Sequence, residues 1–157
     1  MELEIRKMTI EDLDRVMEIE KETFSVPWSR DSYQAEITTN ILSAYFVAKA
    51  QGKIIGYFGM WFILDEAHIT NIAVQKSFRG KGVGTSLVAC LLEEASKKGV
   101  KNLTLEVREG NVAARKLYEK MGFVEEGRRT GYYPDNHEDA IIMWKRGEAA
   151  CRKGSRK

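Results

Sequence analysis

Apolar and polar positions change period several times along the chain, and each change marks an element. LEIRKMT, at the start, alternates well enough for a first strand. Leu13, Val16 and Met17 then recur at helical spacing, with Glu20 next on the same stripe, so a helix is predicted over 10–22. Thr9 and Asp12 form a weak capping box before it. FSVPWS interrupts this helix, and Ser29 caps a second one predicted over 30–39. SAYFVAKA and KIIGYFGMWFIL are β-rich runs joined at Gln51–Gly52, the pattern of a hairpin. HITNIAV is another strand; it lacks strict alternation, which predicts burial on both faces.

A helix is predicted over 83–98, with Leu87, Leu91 and Ala95 as its apolar stripe, Val88 and Leu92 beside them, and Gly99 as its stop. In KNLTLEV, Leu103, Leu105 and Val107 face one way and Thr104 and Glu106 the other. Asn111 caps a short helix whose shared face holds Ala114, Leu117, Tyr118 and Met121, and Gly122 ends it. GFVEEGRR and EDAIIMWKR close the pattern as two strands linked by TGYYPDNH.

The order βαα-βββ-α-β-α-ββ predicts an α+β fold, a mixed and mostly antiparallel central sheet flanked by helices, rather than a doubly wound parallel sheet. There is no internal repeat. Residues 1–146 read as one domain, and 147–157, basic and aperiodic, as a disordered tail.

Composition narrows the function classes. The chain has 157 residues, 43% hydrophobic and 31% charged, enough for a real core. A formal net charge of +2 gives no excess of the kind that binds nucleic acid. No stretch approaches the roughly 20 apolar residues of a membrane span, and the charged amphipathic start is unlike a signal peptide. Cys90 and Cys151 make no disulfide framework, which points to a reducing, cytoplasmic setting. His68 and His137 have no Cys or His partner at ligand spacing, so no metal site is expected.

The densest chemistry is Arg79-Gly80-Lys81-Gly82-Val83-Gly84, directly before a predicted helix. A helix N-terminus presents unpaired N–H groups and partial positive charge, which suits phosphate. Glycines let the backbone approach an anion closely and accept positive φ. The bland alternative is a flexible charged turn. A P-loop requires Ser or Thr after its Lys, where Gly82 stands; the dinucleotide fingerprint requires glycine where Thr85 stands. Another pyrophosphate-bearing ligand remains, and coenzyme A is one.

This stretch resembles the R/Q-x-x-G-x-G/A signature of the GNAT acetyltransferase superfamily, and the element order is similar to that superfamily's from about residue 2 to 146. LEVREGNVAARKLYEKMGF and GYYPDNHEDAIIM resemble the branch that acetylates protein N-termini, most of all the bacterial ribosomal-protein-alanine N-acetyltransferases. The resemblance implies acetyl-CoA as co-substrate and no metal. It also implies direct transfer through a ternary complex to a protein N-terminus, that of a ribosomal protein in the nearest branch. It assigns coenzyme contacts to Ile72, Ala73 and Val74, to Arg79, Gly80, Lys81, Gly82, Val83, Gly84 and Thr85, and to Asn111. Glu109-Gly110 departs from the serine that the family commonly has before this asparagine.

By the same resemblance Glu106 is the general base and Tyr118 the general acid. On periodicity alone Glu106 is an ordinary polar strand residue and Tyr118 a core tyrosine. An α-amine titrates near 7.7–8.0 against about 10.4 for lysine, so an N-terminus asks only modest strength of the base, acting directly or through water. Trp28 in FSVPWS and Tyr132 and Tyr133 in GYYPDN are the expected acceptor contacts, since the family's loops there flank the substrate; as sequence they are equally plugs of the fold. Two other functions stay open: the same fold with a lysine, polyamine or small-molecule amine as acceptor, and a non-catalytic acyl-CoA-binding module.

Overall fold

The computed structural model describes residues 2–147. The predicted tail beyond Gly147 lies outside them; Gly147 itself donates its N–H to Asn102 Oδ1 at 3.1 Å. The elements run β1 (Glu4–Lys7), α1 (Leu13–Thr23), α2 (Arg30–Thr38), β2 (Ser43–Ala50), β3 (Lys53–Ile63), β4 (Glu66–Val74), α3 (Val83–Lys97), β5 (Asn102–Arg108), α4 (Val112–Lys120), β6 (Val124–Arg129) and β7 (Ala140–Lys145). The strands make one seven-stranded sheet in the order β1-β2-β3-β4-β5-β7-β6. It is mostly antiparallel, with β4 and β5 paired in parallel. This is the predicted α+β architecture. Among the described residues no helix is long and apolar enough to cross a membrane.

The chain divides into two compact units, one holding residues up to Trp61 together with Thr70–Leu91, the other Phe62–Ile69 and the residues from Leu92 onward. In the first, Leu13, Val16 and Ile19 of α1 pack with Tyr33 of α2, Val47 of β2 and Tyr57 of β3, all essentially without exposure. The predicted first helix opens as a 3-10 turn, Ile10–Asp12, before α1 proper. Buried Asp12 sets that start: it accepts the Thr9 N–H at 2.7 Å and takes the Arg6 guanidinium in a two-pronged pair at 2.8 and 2.9 Å. Ser29 caps α2 as predicted, accepting from the Ser32 N–H at 3.1 Å.

In the second unit Leu103, Leu105 and Val107 are buried, as the alternation of β5 requires, while Glu106 is exposed. Thr104 shares the face of Glu106 yet is also buried, its Oγ donating to the Met143 carbonyl at 2.9 Å. β7 lies between β5 and β6, with Glu106 opposite Ile142, and β6 carries a bulge between Glu125 and Gly127. Gly99 and Gly122 follow α3 and α4 with φ of 75° and 103°, the predicted left-handed stops.

One expectation fails. HITNIAV is not buried on both faces: of β4 only Ala67 and Ala73 are buried, and Ile69, Ile72 and Val74 stay half-exposed. A continuous apolar run does not say how many of its faces are covered.

Candidate active site

The predicted site residues fall in both units. Trp28, Ile72–Val74 and the glycine loop belong to the first; Glu106, Asn111, Tyr118, Tyr132 and Tyr133 belong to the second.

In the first unit, β4 ends at Val74 and a 3-10 turn over Lys76–Phe78 leads into the loop. The parallel ladder of β4 with β5 is registered only over Glu66–His68 with Asn102–Thr104, so Ile72–Val74 have no registered partner there. An extended ligand arm can add to such a strand edge. Gly80 and Gly82 hold φ of 76° and 85°, and a Cβ on either would meet nothing within 4 Å. Glycine is therefore required there by backbone conformation, not by crowding. The first helical bond runs from the Ser86 N–H to the Gly82 carbonyl at 3.1 Å, leaving the preceding amides without an i−4 acceptor, as an anion site needs. Arg79 braces the loop: its Nε donates to the Val74 carbonyl at 2.9 Å. Lys81 extends over the Phe78 ring, 5.7 Å from its centre.

Trp28 is half-buried, 5.1 Å centre to centre from the Tyr33 ring. Its backbone N–H donates to Glu20 Oε2 at 2.9 Å, and Glu20 Oε1 accepts the hydroxyls of Tyr33 and Tyr57, both at 2.5 Å. Glu20 is 2% exposed. Burial first, then Tyr57 and the Glu20 carboxylate for Tyr33 and the Glu20 carboxylate for Tyr57, push both tyrosines well above the usual phenol range, so they remain donors at any working pH. Sequence reading left Glu20 as a doubtful member of an apolar stripe. An acidic residue at core spacing was the available signal for a buried acceptor.

In the second unit Glu106 accepts from Arg129 Nε at 2.6 Å, and its charge pushes up the neighbouring Tyr132 phenol. The Tyr132 ring packs edge-on to Tyr133 at 5.1 Å, and the Arg108 guanidinium lies over Tyr133, 3.9 Å from its centre. Tyr133 is pushed up to about 12, mainly by burial. The loop carrying both tyrosines is tied down at several points. Arg108 pairs with Asp135 at 3.1 Å and Glu138 at 3.4 Å, Glu138 Oε2 accepts the Gly110 N–H at 2.6 Å, and Asp139 Oδ1 accepts the Gly131 N–H at 2.9 Å. Tyr132 and Tyr133 thus stand beside the predicted base. Arg129, which sequence reading missed, pairs with it from 23 residues away.

Tyr118 is 5% exposed, its ring edge-on to Phe123 at 5.8 Å, as the core-tyrosine reading requires. Burial, and secondarily Tyr133, hold its hydroxyl protonated well above the usual phenol range. No described residue hydrogen-bonds that hydroxyl, which is uncommon for a buried phenol. Asn111 caps α4 through a 3.2 Å bond from the Ala114 N–H, so the unusual Glu109-Gly110 does not spoil the turn.

The chain as a whole is similar to known proteins. The acetyltransferase (GNAT) family model matches residues 13–123. The putative ribosomal protein bS18-alanine N-acetyltransferase of Bacillus subtilis (strain 168) is 42% identical over 140 residues, 89% of this chain and 93% of that protein. The ribosomal protein bS18-alanine N-acetyltransferase of Escherichia coli (strain K12) is 38% identical over 141 residues, 88% of this chain and 94% of that one. The crystal structure of the ribosomal-protein-S18-alanine N-acetyltransferase from Escherichia coli superimposes with a TM-score of 0.85, at 35% identity, covering 92% of this chain and 94% of its own. With its glycine loop, its strand order and this near full-length likeness, the chain belongs to the GNAT acetyltransferase family.

Proposed function

We propose that this protein transfers the acetyl group of acetyl-CoA to the N-terminal alanine amine of ribosomal protein bS18, with residues 1–146 acting as one domain in the cytoplasm. The family implies acetyl-CoA as co-substrate. The observation that carries the acceptor is the likeness, over about nine-tenths of both chains, to relatives named for that reaction.

The chain's own residues supply each step. Gly80–Thr85 present amides to the pyrophosphate, with Arg79 and Lys81 adding charge, and Asn111 contributes a polar contact. Ile72–Val74 hold the pantetheine arm by strand addition, and an amide among them stabilises the oxyanion as the amine attacks the thioester carbonyl. Glu106 takes the proton that the attacking nitrogen sheds. Tyr118 donates a hydrogen bond to the departing sulfur. A phenol, near 10, is already a weaker acid than a thiol, about 8.5, and burial weakens Tyr118 further, so full transfer from the phenol is uphill. Tyr118 acts chiefly by stabilising the thiolate, and the proton lost by the amine balances the thiol released. Trp28, Tyr132 and Tyr133 border the acceptor.

The test is CoA-thiol release with three acceptors: a peptide bearing a free N-terminal alanine, the same peptide N-blocked with an internal lysine, and spermidine. Turnover is expected with the first alone, reduced about 10²- to 10⁴-fold by Glu106→Gln and about 10²- to 10³-fold by Tyr118→Phe. Preferred use of the blocked peptide or spermidine overturns the acceptor. Unchanged turnover in either variant overturns that residue's role.

A further inference from the structure

One side of α2 borders a cavity of about 300 Å³ lined by Trp28, Ser32, Ala35 and Glu36, at the small end of ligand sites. Its chemistry is asymmetric. Glu36 Oε1 accepts from the Trp61 indole N–H and from the Tyr45 hydroxyl at 3.0 Å, and Asn40 Nδ2 approaches both carboxylate oxygens at 3.3 Å. These neutral donors fix the carboxylate in place. No Lys, Arg or His among the described residues pairs with it, and Oε2 has only the long Asn40 contact. Glu36 also sits in the last turn of α2, where the helix carbonyls add negative potential and no basic residue offsets them. A half-buried carboxylate in such a field favours a cation, and the Trp28 ring beside it offers a second attraction.

The cavity is tied to the reacting strand. The Tyr45 hydroxyl, which donates to Glu36, accepts from Thr70 Oγ1 at 3.1 Å, and Thr70 stands two residues before Ile72–Val74 on the same strand. We propose that this cavity receives the cationic side chain, Lys or Arg, of the acceptor peptide, with Glu36 as its counter-ion and Trp28 alongside. The proposal rests on the peptide-acceptor reading above. It adds a specificity determinant separate from the reacting amine: Glu36 selects the acceptor by a charge beyond its first residue.

Two measurements test it. In the first, N-terminal alanine peptides carry arginine, norleucine or glutamate at the second, third or fourth position in turn, and kcat/KM is measured for each. At one position arginine is expected to exceed norleucine roughly ten- to a hundredfold, the range for a hydrogen bond to a charged group. Glu36→Gln keeps an acceptor oxygen for Trp61 and Tyr45 but removes the charge, and is expected to bring that ratio close to one. Ser32→Leu fills the cavity from an exposed helix position and is expected to do the same, so the test survives if Glu36→Gln fails to fold. A wild-type ratio near one at every position, or a ratio that neither variant changes, overturns the proposal.

In the second, calorimetric titration with N-acetyl-alanyl peptide amides that carry arginine at the second, third or fourth position, each against its norleucine counterpart, reads the cavity without turnover. If no alanine peptide is acetylated, the acceptor reading has failed, and binding alone decides the cavity. Arginine-selective binding at one position, lost in Glu36→Gln, supports it; equal or absent binding of the two amides at all three positions overturns it.

Discussion

Replacing Glu20 by Gln removes a charge from the centre of the first unit while keeping its size. In the native arrangement one carboxylate accepts three donors: the hydroxyls of Tyr33 and Tyr57 at 2.5 Å each and the Trp28 N–H at 2.9 Å. A glutamine has one acceptor oxygen. If it stays with the phenols, its amide N–H₂ confronts the Trp28 N–H; if it turns to Trp28, the phenols lose their acceptor. Either way at least one buried donor is stranded, at about 1–3 kcal/mol, and the surviving bonds lose charge assistance. A net loss of about 3 kcal/mol lowers Tm by about 6–12 °C in a protein of this size. A double-mutant cycle with Tyr57→Phe sharpens the test. Alone, Tyr57→Phe removes a bond to a charged group, about 1.5–3 kcal/mol; in the Glu20→Gln background it removes a surplus donor and is expected to cost less than about 1 kcal/mol. Urea unfolding at pH 7, read as midpoint at constant slope, measures both. A Tm shift under about 2 °C, or an identical Tyr57→Phe cost in the two backgrounds, refutes the reasoning.

Asp12→Asn is expected to destabilise by about 1.5–3 kcal/mol at pH 7. Burial pushes the Asp12 carboxyl up, but the Arg6 guanidinium and the Thr9 donors outweigh it and hold it below its ordinary value of 3.8. A depressed folded-state value gives stability that is present above about pH 4 and lost as pH falls through the folded value, so the gap between variant and native urea midpoints should close in that window; a gap independent of pH refutes the linkage. Gly82→Ala forces an L-residue to a φ of 85° in open space. It is expected to cost about 1–2 kcal/mol, seen as a lower melting temperature, and to weaken acetyl-CoA binding by calorimetry; undiminished affinity refutes the loop's role.

What the sequence made legible was local. Gly80 and Gly82 precede a helix, and their left-handed geometry and the open amides follow from neighbours a few residues away. Asn111 and Ser29 cap their helices through bonds three residues long. The outward face of Glu106 follows from alternation within β5 alone. The misread burial of β4 is different in kind, because the covering of a strand face belongs to other parts of the chain. The same holds for the environment of each carboxylate. Glu20 meets Tyr57 across 37 residues, Glu36 meets Trp61 across 25, and Glu106 meets Arg129 across 23. No period or motif reports such pairings, and they separate a buried acceptor, a fixed anion and an ion-paired carboxylate among residues that read alike in sequence.

The two outermost strands have a consequence for life in a crowded solution. β1 is only four residues long, EIRK, and β6 reads VEEGRR, interrupted by its bulge and mostly exposed. Short length, charges of both signs and a break in the ladder are the features that keep a free strand edge from recruiting a second molecule. These two edges therefore do not invite strand-on-strand pairing with a second copy. Trading Glu125 and Glu126 for β-branched residues would remove that protection and leave a self-templating edge.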